Sequence, residues 1–356
     1  MSANRSLIAS SSNPPLERAL RDKLHKRSDI MGSLGELESL AVRLGLMQAT
    51  LKPRLRDPQV LVFASDHGLA VDGIGGPDSH ATGEQVQQLL SGQSPVAVFA
   101  RVQGMELTVV DGGLCERLPP HDRLLRRKIA HGTRNSRAGP AMSVEQAHAA
   151  IRAGMEIADS MPGNAIACAG IGIGSHESAA LLMSRLAKVP VRDLIVSGPD
   201  MSPELLSHLL LVLQGALGRH HDANEPVETL AALGGFEIAM MVGVMLVAAG
   251  KRRLIMVDGM AACAALLIAS HISAAVTDYC VFCRSHRHMG LDRALQLFRA
   301  SALLELGMQS IDGTGAALAW PLVRSAAALL TELTDGEEPG PTRPVPTLTA
   351  ELPGEN

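Results

Sequence analysis

The sequence predicts an α/β protein: a mostly parallel, doubly wound sheet, with a small helical subdomain drawn from the two ends of the chain. Three observations predict it. Short apolar runs alternate with longer stretches of helical period over most of the 356 residues, as in a sheet covered by helices on both faces. Apolar residues make up 46% of the chain and charged residues 19%, enough to bury a large core and too apolar for a disordered chain. The apolar runs also end repeatedly in glycine and aspartate, at the strand ends where such sheets bind ligands.

The elements follow in chain order. Residues 16–24 and 35–47 read as helices, and 59–65 as a buried strand. A helix over 84–101 leads to a strand at 106–110. Ser143, with Gln146 three residues on, has the form of a capping box and starts a helix over 143–158. A strand at 165–169 is followed by a helix over 178–187 and a further strand at 194–197. Ser202 before Pro203 marks the start of a helix over 203–217. Residues 236–249 form an almost wholly apolar helix, too short to cross a bilayer. A strand at 254–257, a helix at 261–270, a strand within 274–281 and helices over 291–306 and 316–333 complete the pattern. The expected divisions are a loose N-terminus (1–13), a small helical subdomain (14–50 with 290–333), an α/β nucleotide-binding core (51–289) and a disordered, proline-rich tail (334–356).

Composition removes several function classes. Lys and Arg number 32 against 36 Asp and Glu, a net charge of -4, so neither nucleic acid nor an anionic membrane surface is an expected partner. Five Phe, one Trp and one Tyr are too few for aromatic platforms that stack bases. Five scattered cysteines do not make a secreted disulfide framework, and the Ser-rich start has no apolar run of signal-peptide length. The expected setting is the reduced cytoplasm.

The strand ends supply the candidate chemistry. They read Ser65-Asp66-His67-Gly68, Asp111-Gly112-Gly113, Gly170-Ile171-Gly172-Ile173-Gly174-Ser175, Ser197-Gly198-Pro199-Asp200 and Asp258-Gly259. Turns alone would use these residue types, but five together point to a ligand crevice. The Gly170–Gly174 segment before a helix suits a phosphate, without the Gly-Lys-Ser/Thr of a P-loop or a dinucleotide fingerprint. Ile311-Asp312-Gly313-Thr314-Gly315 is a second glycine-rich helix entry, whose carboxylate is either a cap or a general base. Glu237, opening an apolar helix after Gly234, Gly235 and Phe236, needs a partner or a place in the crevice. Cys280, Cys283, His286 and His288 are zinc-type donors. Their run starts in an apolar strand, and the two pairs lack the usual separation, so no metal site is expected.

In order along residues 30–333, these blocks resemble the nicotinate-nucleotide:dimethylbenzimidazole phosphoribosyltransferase family of cobalamin lower-ligand assembly. The resemblance rests on Gly32, Gly35 and Glu38, on 62–68, 109–111 and 139–142, on Gly172 and Gly174, on Gly234-Gly235-Phe236-Glu237-Ile238-Ala239, on 257–259, and on Asp312 to Ala317 with Pro321. It implies a parallel α/β fold with a helical small domain, usually as a homodimer. It implies a reaction in which a base nitrogen attacks the ribosyl C1 of nicotinate mononucleotide, nicotinate leaves and the anomeric configuration inverts. The leaving group is already a pyridinium, so no cofactor is implied. Asp312 matches the carboxylate that takes the N–H proton of the base. Gly172, Gly174, Ser175, His208, Asp258, Gly259, Gly313, Thr314 and Gly315 match the nucleotide and phosphate side. Asp66, His67, Gly75, Pro77, Glu84, Gly235, Phe236 and Glu237 match the base side.

The chain also departs from the family pattern. Asp312 stands for a Glu, shortening the reach by about a bond length, a change of the size that alters rates about a hundredfold. Gly170 stands for a Glu, Ser175-His176 for Asn-Thr and His208 for a Lys. Gly75, Pro77 and Glu84 stand where the base pocket has Ser, Tyr and Gln. Three readings remain open: an active transferase with an altered acceptor base, an impaired paralogue that pairs with or regulates an active homologue, and a nucleotide-binding protein. The first implies nicotinate mononucleotide and an aromatic base as partners.

Overall fold

The computed structural model describes residues 8–75, 80–195 and 201–333, the side chains of 27–31 and 333 aside. Six strands form one sheet: β1 (Gln59–Ser65), β2 (Glu106–Gly113), β3 (Leu124–Arg126), β4 (Ala165–Ile171), β5 (Leu254–Asp258) and β6 (Cys280–Cys283). Their order is β3-β2-β1-β4-β5-β6, and every neighbouring pair is parallel. All seven residues of β1 and all seven of β4 are buried, which is why they read as continuous apolar runs rather than alternating ones. The chain winds outward from β1 through β2 and β3, then returns beside β1 as β4 and winds the other way. The order therefore reverses between β1 and β4, and the crevice for a ligand belongs outside their carboxyl ends.

Helices cover both faces. On one side lie α4 (Pro95–Val102) and α13 (Thr314–Ala328), with α1 (Pro14–Met31) and α2 (Glu36–Met47) packed on α13 or its end. On the other lie α5 (Val144–Ser160), α10 (Phe236–Gly250) and α11 (Met260–Ile272), with α6 (Ser175–Ala187) and α9 (Pro226–Leu233) outside them. The pleat sorts side chains between the layers: Val60 and Ala169 face Gly313 of the turn into α13, while Gly112 and Gly170 face Met240 and Ala261. α5 and α10 pack backbone to backbone. A Cβ on Gly154 would stand 1.9 Å from the Met240 carbonyl oxygen, and one on Gly243 2.0 Å from that of Ile151. Only glycine permits so close an approach.

Most of the expected elements are present. Ser143 Oγ accepts from Gln146 N at 3.1 Å, and Gln146 Oε1 accepts from Ser143 N at 2.9 Å, so the capping box is formed. Ser202 caps α8 (Pro203–Arg219), with proline in its first turn. Several boundaries differ. The helix expected over 84–101 is two, α3 (Thr82–Leu90) and α4, because Ser94-Pro95 starts a new one. Residues 192–195 are a helical turn, α7 (Arg192–Ile195), and not the start of a strand; 196–200 lie outside the described residues. Residues Ala274–Tyr279 form a 3₁₀ turn before β6. The helix expected over 291–306 is α12 (Met289–Leu297), after which the chain runs extended beside Phe282. α13 ends in a wider π turn over Leu329–Leu333. α12 packs against α7, α11 and α6, away from α1 and α2, because the strand before it delivers it to the other layer. Of the N-terminal stretch expected to be loose, Ser10 and Ser11 bond Asp278, and Ala9 accepts from the Tyr279 hydroxyl. The tail 334–356 lies outside the described residues. No helix among the described residues is long and apolar enough to cross a membrane.

Candidate active site

A cavity of about 470 Å³ opens at the carboxyl end of β4. Five segments wall it, together with Pro95 at the start of α4. The turn after β4 contributes Gly170, Ile171, Gly172, Ser175 and His176. The start of α11 contributes Ala261, and α3 contributes Gln85 and Gln88, one helical turn apart. The segment after β6 contributes His286, and the approach to α13 contributes Gln309, Ser310, Ile311 and Asp312. The Ile173 amide bonds Thr82 Oγ1 at 3.3 Å and ties α3 to the β4 turn. A wider groove of about 690 Å³, lined by Asp57, Arg101 and Arg123, lies at the amino ends of β1 and β2, the wrong edge for a ligand in a parallel sheet.

Asp312 supplies the carboxylate at the wall. It is 9% exposed, and its Oδ1 lies 3.0 Å from His286 Nε2. Burial pulls the His286 pKa down, but contact with Asp312 and the charges of Asp312 and Asp258 outweigh it, and the net shift is upward. Gly259, with φ of 91°, stands where a Cβ would meet Asp312 Oδ2 at 1.9 Å. The position thus demands glycine on both counts.

Asp258 holds the turn that carries Asp312. It is fully buried, and its Oδ2 accepts from Gly313 N (2.9 Å), Ala316 N (2.9 Å) and Ser285 Oγ (2.7 Å). Ser285 Oγ accepts in turn from Gly315 N at 2.7 Å. Burial, then the charge of Asp312, raise the Asp258 pKa to about 6 against those hydrogen bonds. Its Oδ1 is buried without a partner. Of the expected nucleotide side, Asp258 thus faces the turn, and the amides of Gly313 and Gly315 are taken within it. Thr314 Oγ1 bonds the Ile311 carbonyl at 2.7 Å.

A second buried group lies beneath the cavity floor. His67 Nε2 meets Glu237 Oε1 at 2.9 Å, Ser175 Oγ donates to the same oxygen at 2.9 Å, and Ser178 Oγ meets His67 Nδ1 at 2.9 Å. Burial disfavours the charge on His67, but Glu237 outweighs it and raises the His67 pKa. Gly235 fits between the two side chains, and Phe236 is 1% exposed. His67, Gly235, Phe236 and Glu237, expected to touch the base, instead support the floor through Ser175, because the sequence around them closes into the core.

The remaining expected residues divide. Gly172 and Ser175 line the cavity, whereas Gly174 turns toward His67. His208 lies outside it, its Nε2 2.6 Å from the Asp72 carbonyl oxygen. The Asp66 carboxylate accepts from Cys115 N at 2.7 Å and serves the loop. Gly75 is half-buried away from the cavity, Pro77 lies outside the described residues, and Glu84 points outward beside His80 at 3.6 Å. Helical geometry brings Gln85 inward where Glu84 was expected. Gln88, His176 and His286 were missed as site residues. The polar 85/88 pair on one helix face was the available signal; the histidines gave none, since only folding brings 176 and 286 together. The rings of His176 and His288 lie 4.2 Å apart. Burial, then neighbouring histidines, hold His176 well below its usual pKa and bring His288 to about 4. Cys280 and Cys283 are buried in β6, and no metal-holding group of three or more His, Cys, Asp or Glu occurs among the described residues.

A carboxylate on a glycine turn thus faces a cavity at the switch point of a parallel sheet, the place where α/β enzymes of this class bind their ligands. A family model described as phosphoribosyltransferase matches residues 10–340, and the chain belongs to that family. Among its relatives, the nicotinate-nucleotide--dimethylbenzimidazole phosphoribosyltransferase of Cupriavidus taiwanensis is 44% identical over 90% of this chain and 94% of its own. The protein of the same name from Cupriavidus necator is 43% identical over 90% and 94%. The crystal structure of the Thermus thermophilus protein of that name superposes with a TM-score of 0.82 at 30% identity, covering 92% of this chain and all of the other.

Proposed function

We propose that the chain moves the 5-phosphoribosyl group of nicotinate mononucleotide onto a ring nitrogen of a benzimidazole-type base, giving an α-ribazole phosphate for cobamide synthesis. The observation that carries this reading is Asp312, nearly buried at the wall of a polar cavity in a chain of this family. One base nitrogen attacks the ribosyl C1 from the face opposite nicotinate. The bond from C1 to the pyridinium nitrogen breaks, and its electron pair stays on nicotinate. Asp312 accepts the proton from the second base nitrogen. General base catalysis of this kind contributes about 10²–10⁴-fold. The start of α6, beside Gly172, holds the phosphate, where the helix dipole favours an anion. Gln85 and Gln88 face the base. The cavity volume suits a ligand of this size, and the working assembly is a homodimer.

A second reading has its own support. Neither Lys nor Arg lines the cavity among the described residues, and His208 lies elsewhere. That favours an impaired paralogue pairing with an active homologue. Incubating the purified chain with nicotinate mononucleotide and a panel of benzimidazoles, purines and phenols separates the two. Base-dependent release of nicotinate with matching ribosylated product is expected. Mononucleotide binding without release for any base would establish the second reading, and sizing the sample by light scattering tests the dimer.

A further inference from the structure

We propose that His286 is a positioning residue for Asp312, fixing one oxygen of the carboxylate so that the other is presented to the acceptor base. The proposal rests on the reading of Asp312 as the proton acceptor. His286 reaches Asp312 from a different segment, just after β6. Its Nε2 stands 3.0 Å from Oδ1, and its ring also lines the cavity. The remainder of the turn is built without it. Asp258 Oδ2 takes the amides of Gly313 and Ala316, and Ser285 takes that of Gly315. The turn is therefore set by Asp258 and Ser285, with a backbone bridge between residues 286 and 309 on its approach, and the contact left to the His286 side chain is with the carboxylate itself. Asp312 Oδ1 is buried with no other partner, so the ion-pair contact from His286 is what restrains the last torsion of this short side chain.

Burial works against charge on His286, and the groups facing it together outweigh that burial. Asp312 and, behind it, Asp258 of β5 favour the imidazolium. His176 of α6 and His288 of its own segment are held neutral by burial, and Arg284 is engaged by Asp292 and Glu305. As the pH rises through the raised pKa of His286, the charged contact becomes a neutral one and the hold on Asp312 loosens. Turnover then declines on the alkaline side.

The test compares His286→Ala and His286→Gln with the parent, reading kcat, KM for nicotinate mononucleotide and the pH profile of kcat, with Asp312→Asn as reference. Misplacing a reacting group by about 1 Å lowers a rate about a hundredfold. For His286→Ala, a fall in kcat of about 10- to 100-fold with KM within about threefold is expected. His286→Gln, whose amide N–H substitutes for the ring N–H, should recover most of kcat and lose the alkaline decline. A kcat for His286→Ala within twofold of the parent overturns the proposal. So does a loss confined to KM, or an alkaline decline unchanged in His286→Gln. If His286→Ala proves unfolded by its melting curve, the pH profile of His286→Gln decides alone. Inactive Asp312→Asn with unaffected His286 variants rejects this proposal only, whereas active Asp312→Asn rejects the reading beneath it.

Discussion

Glu237 is 0% exposed and shares His67 and Ser175 with one oxygen while its other oxygen has no partner. Removing one member of a buried ion pair strands the other, at about 3–5 kcal/mol. Glu237→Ala is therefore expected to lose that much stability in urea unfolding, and a loss below about 1 kcal/mol would show the pair to be dispensable. The need of Glu237 for a partner is legible in the sequence, because an acid inside Gly-Gly-Phe-Glu opening an apolar helix has few ways to be satisfied. Its partner is not, since His67 lies 170 positions away and only the return of the chain beside β1 brings the two together. Asp312 is found by its local setting, a glycine turn before a helix. His286 reads locally only as a zinc-type donor, because nothing nearby in sequence couples it to residue 312.

At the scale of elements, the turn from β5 into α11 and the turn into α13 interlock. Gly259 has no side chain to contest the space of the Asp312 carboxylate. Gly259→Ala would place a methyl group 1.9 Å from Oδ2 at a φ that L-residues rarely adopt. The carboxylate must shift, so kcat should fall about a hundredfold while circular dichroism stays that of the parent. Unchanged kcat would mean that the turn relaxes without consequence. Strands buried on both faces are legible at this scale, because no other element gives so short a run of consecutive apolar residues flanked by turns. The errors of type have the matching cause: at 194–195, as at 274–279, the apolar run is too short for periodicity to separate strand from a helical turn.

For the whole molecule, the buried charges around the site tie stability to pH. The folded pKa of Asp258, raised to about 6, lies above the unfolded value. The native state then binds the proton more tightly, and acidification through pH 6 relieves the burial of charge. From about pH 7.5 down to about pH 5 this contributes about 1–2 kcal/mol of stability. Asp258→Asn should lack that contribution, so its urea-unfolding stability relative to the parent should fall by that amount as the pH is lowered over the interval. A constant difference between the two proteins would contradict the assignment. The reversal of strand order that locates the cavity is legible only as a class, because pairing order depends on which strands meet after folding and not on any one segment. Once β4 lies beside β1, the glycine turn of one half and the helix entry of the other converge on the same edge.

The most direct test of the account is single-turnover nicotinate release from nicotinate mononucleotide with dimethylbenzimidazole, comparing the parent with Asp312→Asn. Base-dependent release by the parent is expected, with a loss of about 10²–10⁴-fold in the variant and mononucleotide affinity retained. Equal rates in the two proteins would contradict it.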